Sequence, residues 1–94
     1  MMLYLVAYDI SSDRVRTRIS TVLEAFGARV QGSVFEVRLP EARLGELQRA
    51  LSLVLGNTTA GQVRVYPVCD ACYRGAFGVG AIAEADLAFG FLIV

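Results

Sequence analysis

The chain contains no histidine, no lysine and no tryptophan. Without histidine there is no imidazole base and no imidazole metal ligand. Without lysine, every one of the nine basic residues is arginine, whose planar fork grips carboxylate and phosphate in two-point fashion. Only two cysteines occur, too few for a disulfide scaffold, and this points to an intracellular protein. Charge is scarce too: 19% of residues are charged, and nine acids balance nine bases to a net charge of zero. That excludes a globally basic nucleic-acid binder, although a local arginine patch remains open. No apolar run reaches the roughly 20 residues of a membrane span. The apolar tail from Leu87 to Val94 is cut off upstream by Asp86 and Glu84. The first residues, Met1 to Asp9, lack the basic start of a signal peptide. The expectation is a soluble cytoplasmic protein with no membrane partner.

What is present is apolar material. Of 94 residues, 55% are hydrophobic, and the mean hydropathy is +0.53. Disorder is excluded by that composition. The length makes a single domain, residues 1–94, with a small interior. Part of the apolar surplus is therefore expected at an interface between subunits.

Leu3 to Tyr8 is an unbroken apolar run, as in a central strand, with Asp9 at its end. Ser11-Ser12-Asp13 offers helix caps, and Val15, Ile19, Val22, Leu23 and Phe26 lie on one helical face up to Gly27. Ala28 to Leu39 reads as two short strands or one bent one, with Gly32-Ser33 as the turn. Pro40 opens a second helix, whose apolar period runs from Ala42 to Leu55. Gln62 to Val68 alternates as a strand. Cys69 to Gly80 reads as glycine-rich and irregular, and Phe89 to Val94 as a last strand.

The order is β-α-β-β-α-β plus one strand. The fold class is α+β, ferredoxin-like, with an antiparallel sheet, two helices on one face and the other face bare. A bare apolar face suits packing on a twin, and residues 80–94 are expected to pair with the partner subunit.

Asp9 stands where a central strand meets a helix. It is either a turn acid beside the capping residues or, paired with its copy across a dimer axis, a seat for a divalent cation. Arg14, Arg16 and Arg18 share the first helix, and Arg29 opens the next strand. They form either a solvated face or a phosphate grip near Asp9. Tyr8 and Phe35 are either core or platforms for an unpaired base. Cys69-Asp70-Ala71-Cys72 is half of a zinc site at most and does not open a helix after the first strand. A small regulatory module binding metal through Cys69 and Cys72 is a rival reading.

Tyr8-Asp9-Ile10, the helix with Arg16 and Arg18, and then Arg29-Val30-Gln31-Gly32-Ser33-Val34-Phe35-Glu36 together resemble the CRISPR-associated protein two family. Val65-Tyr66-Pro67-Val68 resembles that family's fourth strand, so the likeness spans the chain. The resemblance implies a ferredoxin-like homodimer with C-terminal strands crossing to the partner. It implies a divalent cation, Mg²⁺ or Mn²⁺, held by Asp9 as both metal ligand and catalytic residue. It implies phosphodiester cleavage of single-stranded RNA or double-stranded DNA, and a scaffold role between integrase subunit dimers in spacer acquisition. Tyr8, Arg16, Arg18, Arg29 and Phe35 match substrate-handling positions. The alternatives are a non-catalytic DNA-binding scaffold and a toxin-type ribonuclease of the same fold.

Overall fold

The computed structural model describes residues 1–56, 61–80 and 92–93. Strand β1 runs Met2–Ile10, helix α1 Asp13–Phe26, and strands β2 and β3 Gly27–Gln31 and Val34–Leu39. A single 3₁₀ turn, Glu41–Arg43, leads into helix α2, Leu44–Leu55. Strand β4 follows at Gly61–Val68, then a short helix α3 at Asp70–Arg74, strand β5 at Phe77–Gly78 and strand β6 at Leu92–Ile93.

The main sheet has the order β2-β3-β1-β4, with every pairing antiparallel. The apolar run of the sequence thus lies between two neighbours, where both edges of its backbone are paired. Together with the element order, this is the expected ferredoxin-like α+β arrangement. Strand alternation sorts the side chains. Tyr4, Val6, Tyr8 and Ile10 of β1, with Phe35, Val37 and Leu39 of β3, meet Ile19 and Leu23 of α1 and Leu47 and Leu51 of α2 in one buried core.

Local chemistry explains the joints. Ser12 caps α1, its Oγ accepting from the Val15 N–H at 3.3 Å. Gly27 ends α1 in extended backbone rather than in a left-handed turn. Its requirement is space: a Cβ there would collide with the Glu36 carbonyl oxygen. Gly56, by contrast, ends α2 at φ +55°, a conformation that favours glycine. Of the two readings for Ala28 to Leu39, the structure has two strands. The Gly32-Ser33 turn joins them, and their register shifts between Arg29 and Gln31.

Asp9 stands at the end of the first strand as expected, next to its last residue and opposite Gln62 of β4. Two expectations need correction. Cys69 to Gly80 is not wholly irregular, because Cys69 caps α3 and the Cys-x-x-Cys does open a helix, after the fourth strand. The second face of the sheet is not bare throughout. Tyr73 of α3 is buried, donates to the Glu36 Oε1 at 3.3 Å and stacks under the Arg38 guanidinium. The same face also carries Leu3, Leu5, Ala7, Val34, Tyr66 and Val68, with Arg64 among them, because these are the odd-numbered residues of β1 and their partners. Of the expected last strand, Leu92–Ile93 is described, running parallel to Phe77–Gly78 as a two-residue ladder separate from the main sheet. The remainder of the Phe89 to Val94 strand lies outside the described residues.

An apolar cavity of about 440 Å³ opens between α2 and the edge strand β4, lined by Leu44, Leu47, Leu55, Val63 and Val65. Among the described residues, no helix is long and apolar enough to cross a membrane.

Candidate functional site

The C-terminal end of β1 delivers Tyr8 to the helix side of the sheet and Asp9 to the opposite side. The two neighbours therefore face different surroundings: Tyr8 is buried and Asp9 is exposed.

On the helix side, a concavity of about 280 Å³ is lined by Tyr8, Arg16, Thr17, Ser20, Arg29 and Gly32. Each arginine is held by several acceptors. Arg16 donates to the Ile10 carbonyl at 3.0 Å and pairs with Asp13. Arg29 donates to the Gly32 carbonyl and to Ser20 Oγ, and approaches Tyr8 Oη at 3.5 Å and the Glu24 carboxylate at 3.6 Å. Tyr8 Oη in turn donates to the Gly32 carbonyl at 3.3 Å. The pocket is thus two guanidinium groups on a preorganised rim, each with one exposed carboxylate beside it. A phosphate entering here would compete with Asp13 and Glu24, exchanging weak surface pairs for charge-assisted bonds to two forks.

Phe35 contributes from below. It is wholly buried and carries the Arg29 guanidinium over its ring. In this arrangement its ring meets Arg29 rather than an incoming base. Arg18 is exposed on α1 and, among the described residues, makes no hydrogen bond or ion pair in common with the pocket. The sequence candidates therefore divide. Tyr8, Arg16, Arg29 and Phe35 are brought together, Asp9 faces the other way at the same strand end, and Arg18 stands apart. Ser20, Thr17 and the Gly32 carbonyl join the site without having been singled out. Ser20 is the buried polar residue of the core, placed directly after the apolar Ile19 on α1. A hydroxyl at the margin of an apolar stripe was the available signal.

A divalent cation prefers hard oxygen ligands, with Mg²⁺ commonly taking one or two carboxylates plus water. Among the described residues, no group of three acidic or thiol side chains surrounds Asp9 or any other point. Asp9 is a single exposed carboxylate, a hard oxygen donor of the kind such an ion takes, and supplies only part of a donor set.

A family model for CRISPR associated protein Cas2 matches residues 2–76. The chain belongs to the Cas2 family. A CRISPR-associated endoribonuclease Cas2 of Rhodospirillum rubrum is 31% identical over 91 residues, spanning 97% of this chain and 73% of that protein. A CRISPR-associated endonuclease Cas2 of Thermus thermophilus is 39% identical over 82 residues, 87% of this chain and 88% of the relative. Among solved structures, a chain of a partial Cas6-RT-Cas1–Cas2 complex superposes with a TM-score of 0.70 at 28% identity. That match covers 81% of this chain and 88% of the other. Membership of the Cas2 family accounts for the antiparallel sheet and the two long helices.

Proposed function

We propose that this Cas2-family protein is a cytoplasmic spacer-acquisition protein. In this reading it is a homodimer that cleaves phosphodiester bonds of single-stranded RNA or double-stranded DNA with Mg²⁺ and scaffolds integrase subunit dimers. The observation that carries the reading is the arginine pocket at the end of β1, with Asp9 one residue away on the other face of the strand. The names of the relatives as endonucleases support the activity, and the likeness to a chain of a Cas1–Cas2 assembly supports the scaffold role.

The residues divide the work. Arg16 and Arg29 present several N–H donors from fixed positions, suited to the non-bridging oxygens of a phosphodiester and to the charge that grows there as water attacks. Tyr8 and Ser20 hold Arg29 in place, and Phe35 supports it from below. Arg18, further along α1, would meet a neighbouring phosphate. Asp9 would hold the divalent ion with its counterpart from the second copy, and such an ion would supply Lewis acidity when bound. Asp9 and the pocket occupy opposite faces of β1 near its end. The substrate in this reading is a polymer that passes over the strand end or spans the dimer.

The same separation favours a second reading, a non-catalytic DNA-binding scaffold, because gripping phosphate in the pocket does not require Asp9. One experiment separates the two. Labelled single-stranded RNA and duplex DNA are incubated with the wild-type protein and with Asp9→Ala, each with and without Mg²⁺. Mg²⁺-dependent cleavage that Asp9→Ala abolishes supports the nuclease. Cleavage that survives in Asp9→Ala overturns it, and absent cleavage with retained duplex binding supports the scaffold.

A further inference from the structure

The two cysteines of the chain play no part in the pocket, and they are adjacent. Cys69 and Cys72 are both exposed, and their Sγ atoms lie 3.0 Å apart. The first turn of α3 creates this closeness, because residues three apart on a helical turn project to the same side. Cys69 is the cap of that turn and its Sγ accepts the Cys72 N–H at 3.3 Å.

We propose that Cys69 and Cys72 form a reversible thiol–disulfide exchange site that reacts with small-molecule disulfides of the glutathione class. The roles of the two thiols follow from their unequal surroundings. Cys69 is held below the ordinary thiol range, first by the hydrogen bond it receives from the Cys72 side chain and then by the Cys72 N–H. Cys72 is pushed up, because a hydrogen bond to Cys69 and the charge on Cys69 both favour its protonated form. Cys69 is therefore the attacking thiolate and Cys72 the resolving thiol. In the first step Cys69 loses its proton to solvent, and the Cys69 thiolate attacks a disulfide RSSR. A Cys69–SR bond forms as RS⁻ leaves. In the second step Cys72 gives up its proton and attacks the Cys69 sulfur, forming the Cys69–Cys72 bond and expelling the second RS⁻. The protein dithiol is oxidised by two electrons, one RSSR is reduced to two thiols, and the released protons balance them.

The site has a structural lever. Cys69 directly follows Val68, the last residue of β4, and Cys72 directly precedes Tyr73, which is packed on the sheet against Glu36 and Arg38. A bridge between the two cysteines would tie the end of the sheet to the turn that seats Tyr73.

The test uses the full chain, reduced and then equilibrated across ratios of reduced to oxidised glutathione. Remaining thiols are trapped by alkylation and counted by mass spectrometry. The expected result is a monomeric species that has lost two thiol hydrogens, with a single reversible transition. Cys72→Ser should stop at one glutathione adduct on Cys69. In the absence of oxidant at neutral pH, limiting alkylation of the reduced wild-type chain should label Cys69 ahead of Cys72, as peptide mapping by mass spectrometry reads, reflecting the larger thiolate fraction at Cys69. Circular dichroism checks that Cys72→Ser remains folded. A wild-type chain that stays fully reduced, that takes up two glutathiones, or that links only to other chains overturns the proposal. Equal labelling of the two cysteines overturns the assigned roles.

Discussion

The Arg29 guanidinium carbon lies 4.8 Å from the centroid of the Phe35 ring. Phe35 is wholly buried, and the Tyr8 ring stands beside it at 6.3 Å between centroids. A cation over an aromatic face gains about 0.5–2 kcal/mol, more as the pair is desolvated. The planar guanidinium also reaches Ser20, Gly32 and Tyr8 at once. The core of the protein therefore sets the position of a charge on its surface.

Arg29→Lys keeps the charge and loses the fork. An ammonium cannot lie flat on Phe35 and meet three acceptors together. Nucleic-acid affinity should fall, by about three- to tenfold for a charge-assisted contact weakened by about 1 kcal/mol. The dependence of binding on salt should change little, because the number of neutralised phosphates is kept. Arg29→Ala should lower both affinity and the salt slope, the latter by about one unit. Binding measured by fluorescence anisotropy across salt concentrations separates the two; an unchanged Arg29→Ala removes the pocket from the interface.

Gly27→Ala should be strongly destabilising, although alanine adopts the extended backbone of this position without strain. The added methyl would meet the Glu36 carbonyl and Val37 Cα, which are backbone atoms of a paired strand and cannot turn aside. Overpacking of this kind costs about 1–3 kcal/mol. Urea denaturation measures it. Gly32→Ala, where a Cβ meets nothing within 4 Å, is the control expected to stay close to wild type.

Tyr73 is raised above its ordinary value of 10.0, by burial first and by the Glu36 carboxylate second. A raised value in the folded state means that the native protein holds the proton more tightly than the unfolded chain. This stabilisation is complete below the unfolded value and is lost as pH rises through the folded one. Urea unfolding followed from neutral to strongly alkaline pH should show that loss, and Tyr73→Phe should lessen it. At neutral pH Tyr73→Phe should cost about 1 kcal/mol for the lost hydrogen bond, with the ring still under Arg38. Equal alkaline loss in both proteins would exclude Tyr73 as its source.

The features legible in the sequence were those that depend on neighbouring residues. The apolar run around Val6, the Ser12 cap, the helical stripe ending at Phe26, and the alternation of Val34 to Leu39 each follow from a local period or cap. Tyr8, Arg16 and Arg29 were legible as candidates from an aromatic residue and an arginine-bearing helix beside Asp9, an arginine opening the next strand, and the family resemblance. The helix at Asp70–Arg74 was not, since five residues carry too little periodicity to mark it among glycines. Nor was the role of Phe35 as a support: a buried ring and a stacking platform look alike until the Arg29 above it is seen.

By itself the sequence determined the element order as far as the fourth strand, the ferredoxin-like class and the absence of histidine chemistry, because composition and period act along the chain. Only the tertiary structure decided which candidates meet. A strand alternates its side chains across the sheet, so the adjacent Tyr8 and Asp9 separate to opposite faces. The antiparallel pairing of β2 with β3 brings Arg29 over Phe35, and α1 packed on the sheet brings Ser20 to Arg29. Those relationships join residues distant in sequence, and packing alone sets them.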